Sequence, residues 1–452
     1  MRKVDINEII DESKFNKFFL MVFMISFVTL IFDGYDMTVY GTTLTLMMKD
    51  LGLNATQTGF LASSALLGMV IGAIIFGMLA DRIGRKFVII TGICFYALFT
   101  ALCGFTSNPY IFAALRFLSG MGMAALTPVI NSLLSEYSPK LNRNFLLSLA
   151  NIGIPFGQLL CTFIGILIIQ TTGWRTLYFI AVIPVFMIFF VKKYMPESMI
   201  FYHRKAEKDK IRDILEKANP EFTLDKNDEY KLSSLNNSKA TLSSLFQNGL
   251  ARNTILIWIM FFCNLYINFG MLTWLPKLMT MMGYSLKFGL VFTATYIGAS
   301  CISIPVAGRF LNRFGFKKVL GLSYIITAIV FIAMTVKMST TMFMSTFVIA
   351  GIFIGYQQSL TYVFASTSYP ISIRGTAVGW GSSVARAGSF FAPIFVGMLI
   401  SAHVSPTLTF ATFAIPALIG FIAVSSTKKI PDFNSPASID SIKMHNKEYD
   451  NV

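Results

Sequence analysis

The chain has 452 residues, of which 55% are hydrophobic and only 13% charged, about half the charged share of ordinary soluble domains. That balance excludes a disordered chain and argues against a water-soluble multidomain enzyme. The net charge of +15 sits in short loops and one linker between apolar runs, which points to an anionic leaflet and not to nucleic acid.

In chain order, residues 1–17 balance four acids against four bases and form a polar N-terminal segment. No small-residue cleavage site follows the first apolar run, so that run is expected to be kept as a spanning helix. Twelve spans are predicted, each long enough for a bilayer core: 18–40, 57–79, 87–105, 110–132, 145–169 and 177–194, then 253–276, 288–310, 319–338, 342–366, 376–400 and 407–427. Runs this apolar must be helical, because a helix satisfies its own backbone groups in lipid. The expected organisation is an all-α membrane protein: one six-helix bundle over 18–194, a linker over 195–252, a second bundle over 253–428 and a tail over 429–452. Within the linker, Tyr202–Ala218 has the composition of an amphipathic surface helix. The five cysteines all fall inside apolar runs; an odd count without metal-ligand spacing predicts neither disulfides nor a metal site, and no cofactor.

Thirty of the 37 Lys and Arg residues lie on the side of the N-terminus, five on the other, and two inside the spans. This bias predicts a multi-pass protein of the cell membrane with both termini cytoplasmic. The halves also repeat. Gly77-Met-Leu-Ala-Asp81-Arg82-Ile-Gly84-Arg85-Lys86 follows the second span, and Gly308-Arg-Phe-Leu-Asn312-Arg313-Phe-Gly315-Phe-Lys317 follows the eighth. Pro139 with Arg143 and Pro370 with Arg374 share the same 231-residue offset, which indicates a duplicated six-helix unit.

Two six-helix halves carrying Gly-x-x-x-Asp/Asn-Arg-x-Gly between their second and third helices resemble the major facilitator superfamily. The resemblance implies a transporter that works by alternating access, with the loop motif as a cytoplasmic gate. The gate residues would be Gly77, Asp81, Arg82, Gly84, Arg85, Glu136, Arg143 and Arg313, with Arg82, Arg85 and Arg143 donating to Asp81 and Glu136. The second copy departs from the pattern: Asn312 replaces the acid and Thr367 stands in the place of Glu136. A narrower likeness lies in the first span, where Phe32-Asp33-Gly34-Tyr35-Asp36 resembles the Asp-Gly-x-Asp signature of the aromatic acid:proton symporters. That likeness implies uptake of a benzoate-like carboxylate with protons; another small organic acid such as nicotinate stays open, and a non-transporting receptor is a remote alternative. No Cys/His dyad, His-rich metal motif or Gly-x-Ser-x-Gly elbow supports an enzyme.

Four ionisable residues lie within the spans: Asp33, Asp36, Arg116 and Arg386. Each carries an insertion cost of roughly 2.5–3.5 kcal/mol when charged, so each needs a partner, water or a task. Asp33 and Asp36 stand three residues apart and share a helix face. Repulsion and burial both favour protonation, so the pair is the expected proton-coupling site. Arg386, set among small residues, offers a planar fork suited to a carboxylate. Arg116 is either a second anion contact or a structural partner of a first-span aspartate. A shift of 231 maps Asp33 to Asn264, Asp36 to Ile267, Arg116 to Phe347 and Arg386 to Pro155; each charge sits where the other half has a neutral residue, which marks these positions as the working site. Tyr40, Tyr266, Asn268, Trp274, Gln357, Gln358 and Trp380 are candidates to complete the pocket. The partners expected are a small aromatic carboxylate, protons and the bilayer, with the protein acting as a monomer.

Overall fold

A computed structural model of the chain describes residues 3–222, 228–231, 241–247 and 249–428. The expected tail over 429–452 lies outside the described residues, as do the side chains of Asp81, Asn312 and Arg313. A short strand β1 (Lys3–Asp5) and helix α1 (Ile6–Glu12) precede the first spanning helix α2 (Lys17–Asp50). The other N-terminal spans are α3 (Ala55–Ile83), α4 (Arg85–Cys103) and α5 (Pro109–Glu136), then the broken pairs α6 (Arg143–Asn151) with α7 (Gly153–Thr172) and α8 (Arg175–Ile180) with α9 (Met187–Tyr194). Linker helices α10 (Met199–Arg204) and α11 (Lys208–Ala218) and strand β2 (Glu229–Lys231) follow. The C-terminal spans are α12 (Ala251–Met281), α13 (Leu286–Phe314), α14 (Phe316–Ala333), α15 (Thr340–Thr367), α16 (Ile371–Ser401) and the broken pair α17 (Pro406–Thr412) with α18 (Ala414–Ser426).

Among the described residues, twelve helical segments are thus long and apolar enough to cross a bilayer. Large apolar side chains such as Phe60, Ile74, Phe186 and Ile422 stand exposed on their outer faces, the surface a lipid solvent requires. The predicted amphipathic helix over Tyr202–Ala218 is two helices, broken where Ala206 takes a φ of +54°.

The duplication extends to the helix ends. Shifted by 231 residues, α3, α4 and α5 begin where α13, α14 and α15 begin, and α5 ends where α15 ends. The turns agree as well: Gly52 and Gly283 both have positive φ, as do Gly84 and Gly315. The start signals are equivalent in type. Asn108 caps α5 and Ser339 caps α15, each with a side-chain oxygen on the first free N–H groups. No insertion disturbs the register through these helices.

The halves meet mainly on the face away from the termini. There Thr56 Oγ1 lies 2.9 Å from Ser401 Oγ, and Ser63 Oγ donates to the Phe390 carbonyl at 2.7 Å. Gly41 lies against the Leu272 backbone and Gly59 against Pro393. One apolar core runs through this face from Val39 and Leu44 into the whole C-terminal bundle. A second core fills the terminal side of the N-terminal bundle, where α1 and α11 add Ile6, Ile10, Ile211 and Leu215. β1 pairs in parallel with β2, and the Asn16 amide holds the last carbonyls of α11. The N-terminal segment and linker helix therefore belong to the first bundle.

Candidate functional site

Asp36 lies at mid-depth on α2, wholly buried. Arg116 Nη1 of α5 donates to both its oxygens, at 3.0 and 3.2 Å. Thr100 of α4 donates at 2.5 Å and Ser119 of α5 at 3.3 Å. The carboxylate thus meets a guanidinium and two hydroxyls, the compensation an ion buried in lipid requires. Of the two readings open for Arg116, the geometry places it in an ion pair with the first-span aspartate, made through Nη1. Its Nε has no hydrogen-bond partner among the described residues.

Asp33 is also fully buried, one turn toward the terminal face. Its Oδ2 accepts from Thr127 of α5 at 2.9 Å, while Oδ1 has no partner among the described residues. The charges acting on it are those of Asp36 and, across the interface between halves, Arg386. Arg386 is half-buried, and among the described residues it forms no ion pair. It stands one turn on the terminal side of the Ser63–Phe390 contact, at the edge of the joined face. Its electrostatic neighbours are Tyr362 and Asp33. The Tyr362 ring meets Phe261 edge-on at 4.9 Å.

The aromatic and amide candidates divide. Tyr40 donates to the Thr58 carbonyl at 2.6 Å. With Arg116, Met69 and Phe269 it lines a pocket of about 30 Å³, the share of one water molecule in the liquid. Asn268 accepts from Tyr296 at 2.8 Å. Gln357 is fully buried; it donates to Thr327 at 2.8 Å and accepts from Asn264 at 3.5 Å. Gln358 is half-buried. Trp274 is sealed at the joined face, its Nε1 donating to the Pro393 carbonyl at 2.9 Å. Tyr266 stacks on Phe262 and lines an apolar cleft of about 540 Å³ between α12, α16 and α18, away from the aspartates. Trp380, exposed, stacks on Trp258.

On the terminal face, Arg85 pairs with Glu136, and Ser198 donates to the second Glu136 oxygen at 2.8 Å. Arg143 corrects the expected pairing: it binds Asp11 of α1 and the Ser138 carbonyl, not Glu136. The cause is the folded N-terminal segment, which brings an acid over the start of α6. Arg82 is exposed without an ion pair among the described residues, and Gly77 faces open space. Gly84 has a φ of +103°, and a Cβ there would meet Glu197 Oε2 at 2.4 Å.

Sequence reasoning did not single out Glu197, Thr100, Ser119 or Thr127. Glu197 accepts from the backbone N–H groups of Arg85 and Lys86 at 2.7 and 3.1 Å and so caps α4. Its signal was an acid in Pro196-Glu197-Ser198 directly after a span. The three hydroxyls carried a weaker signal, since Ser and Thr in membrane helices more often bond back to their own helix.

The family model for the Major Facilitator Superfamily matches residues 26–299 and 285–445. The chain is 31% identical to a benzoate transport protein of Acinetobacter baylyi, over 94% of this chain and 92% of that one. It is 29% identical to a gentisate transporter of Corynebacterium glutamicum, covering 90% and 87%, and 27% identical to a 4-hydroxybenzoate transporter of Acinetobacter baylyi, covering 93% of each. Among solved structures, the E. coli xylose transporter superposes with a TM-score of 0.72 at 15% identity, covering 94% of this chain and 99% of that one; at that identity the likeness concerns the fold. With two matched bundles of six spans and relatives aligned almost end to end, the chain belongs to the major facilitator superfamily and is a membrane transporter, not an enzyme.

Proposed function

We propose that the protein takes up a small aromatic carboxylate, such as benzoate or a hydroxybenzoate, together with protons. The observation that carries this reading is the contrast between the two intramembrane arginines. Asp36 engages Arg116, whereas Arg386 has no ion pair among the described residues and sits beside the interface between halves. A guanidinium without an ion pair at that place suits a monocarboxylate bidentately, and the half-buried Tyr362 beside it offers an aromatic ring. The Asp-Gly-x-Asp motif and the printed functions of the relatives support the same substrate class.

In this cycle the anion binds Arg386 while Asp33 takes a proton. Neutralising Asp33 removes a competing anion from Arg386 and lowers the cost of closing the halves around it. The bundles then close on one face and part on the other. One proton per monoanion is electroneutral and driven by the pH gradient alone; a second adds roughly 2.3 kcal/mol per 100 mV of membrane potential.

Uptake into proteoliposomes under an imposed pH gradient tests the reading, with benzoate, hydroxybenzoates, phenylpropionates and nicotinate as the panel. Accumulation of benzoate or a hydroxybenzoate is the expected result. Accumulation of nicotinate alone transfers the reading to that acid, and accumulation of none overturns it. Arg386→Lys should lower uptake at least about tenfold at equal protein level, because a point charge loses one charge-assisted bond. Wild-type uptake by that variant removes Arg386 from the site.

A further inference from the structure

Of the buried side-chain atoms in the N-terminal bundle that lack a partner among the described residues, two bear on Asp33. One is Asp33 Oδ1. The other is the hydroxyl of Tyr96 on α4, a residue only 1% exposed. The charges Tyr96 feels are those of Asp33 and, less strongly, Asp36. A buried acceptor and a buried donor each lose free energy when unpaired, and the equivalent positions of the other half are joined by hydrogen bonds.

The duplicated half shows the same place completed. Shifted by 231 residues, Asp33 becomes Asn264, Tyr96 becomes Thr327 and Leu126 becomes Gln357. In the C-terminal bundle these three form a chain: Asn264 donates to Gln357 Oε1, and Gln357 Nε2 donates to Thr327. In the N-terminal bundle the central amide is Leu126, fully buried and apolar. The ends of the chain are present and its middle is missing.

We propose that one buried water joins the Tyr96 hydroxyl to Asp33 Oδ1, making Tyr96 the positioning residue that supports the ionised form of Asp33. This inference rests on the reading of Asp33 as the proton carrier. A water suits the place because it passes a proton, whereas an amide fixed between Asn and Thr does not exchange charge. The same six-helix unit then carries a neutral, sealed chain in one copy and a titratable one in the other. The groups facing Asp33 are Thr127 from α5, Tyr96 from α4, Asp36 from its own helix with Arg116 behind it, and Arg386 from α16.

The test is the pH profile of benzoate uptake in proteoliposomes. Tyr96→Phe keeps the ring and deletes the donor, so the ionised carboxylate loses support and the midpoint should move about one unit to higher pH. Benzoate exchange at equal pH should stay within about twofold of wild type, which reports a folded carrier. Adding Leu126→Gln to Tyr96→Phe supplies the amide found in the other half and should return the midpoint toward wild type, which a merely structural tyrosine would not allow. Leu126→Gln alone is a second, independent variant: its added donor should move the midpoint to lower pH. An unmoved midpoint in Tyr96→Phe overturns the proposal. If Asp33→Asn itself retains pH-driven accumulation, the proton reading fails; if Asp33→Asn loses it and Tyr96→Phe is unchanged, only the role of Tyr96 fails.

Discussion

Asp33 and Asp36 look interchangeable in the sequence, three residues apart on one face, yet their surroundings assign them different work. Asp36 is saturated by Arg116, Thr100 and Ser119. Removing its charge strands a guanidinium in the interior, and breaking a buried pair costs roughly 3–5 kcal/mol. Asp36→Asn should therefore lower the thermal midpoint in detergent and the amount of protein in the membrane. Asp33 has one bonded oxygen and one without a partner among the described residues, so Asp33→Asn should fold near wild type while losing accumulation driven by a pH gradient. Equal stability of the two variants would contradict this division. The identity of the four intramembrane charges was legible because a charge in an apolar span stands out. Which aspartate meets which arginine was not, because the partners come from helices 80 or more residues away.

Helix contacts explain residues that chemistry alone would leave unread. Gly34 lies inside the Asp-Gly-x-Asp motif, and a Cβ there would stand 1.9 Å from the Ile154 carbonyl oxygen on α7. Gly157 answers it, with a Cβ position 1.8 Å from the Ile31 carbonyl. Close approach of small residues holds α2 and α7 together, as expected where lipid supplies no hydrophobic drive. Gly34→Ala should then destabilise the first bundle by about 3 kcal/mol or more, read as a fall in thermal midpoint with the aspartates untouched. A variant that melts like wild type would show that the helices can part at no cost. Broken spans were the least legible elements. The fifth, sixth and twelfth read as continuous apolar runs, but the chain interrupts them at Ile152, near Pro184 and at Phe413.

At the scale of the molecule, the joined face away from the termini sets what must move. Thr56 and Ser401 touch across the halves there. In a background without the five native cysteines, Thr56→Cys with Ser401→Cys should form a disulfide under mild oxidation. Benzoate uptake should fall at least about tenfold and return on reduction, because alternating access requires that face to open. Full activity in the cross-linked protein would mean that the face stays shut through the cycle. The N-terminal segment adds a second constraint: Asp11 on Arg143 and β1 on β2 fasten the linker helix to the first bundle.

Composition, apolar run length and the repeated loop motifs by themselves determined twelve helices, two halves and the 231-residue register, because a bilayer admits few structures and duplication copies motifs in register. They also isolated the four intramembrane charges, each of which has a neutral counterpart in the other copy. Only the tertiary structure decided that Arg116 belongs to Asp36, that Arg143 belongs to Asp11, that Tyr266 looks into an outer cleft and that Glu197 caps α4. Each of those facts depends on how side chains from distant helices meet, and no local pattern of hydrophobicity encodes the rotation of one helix against another.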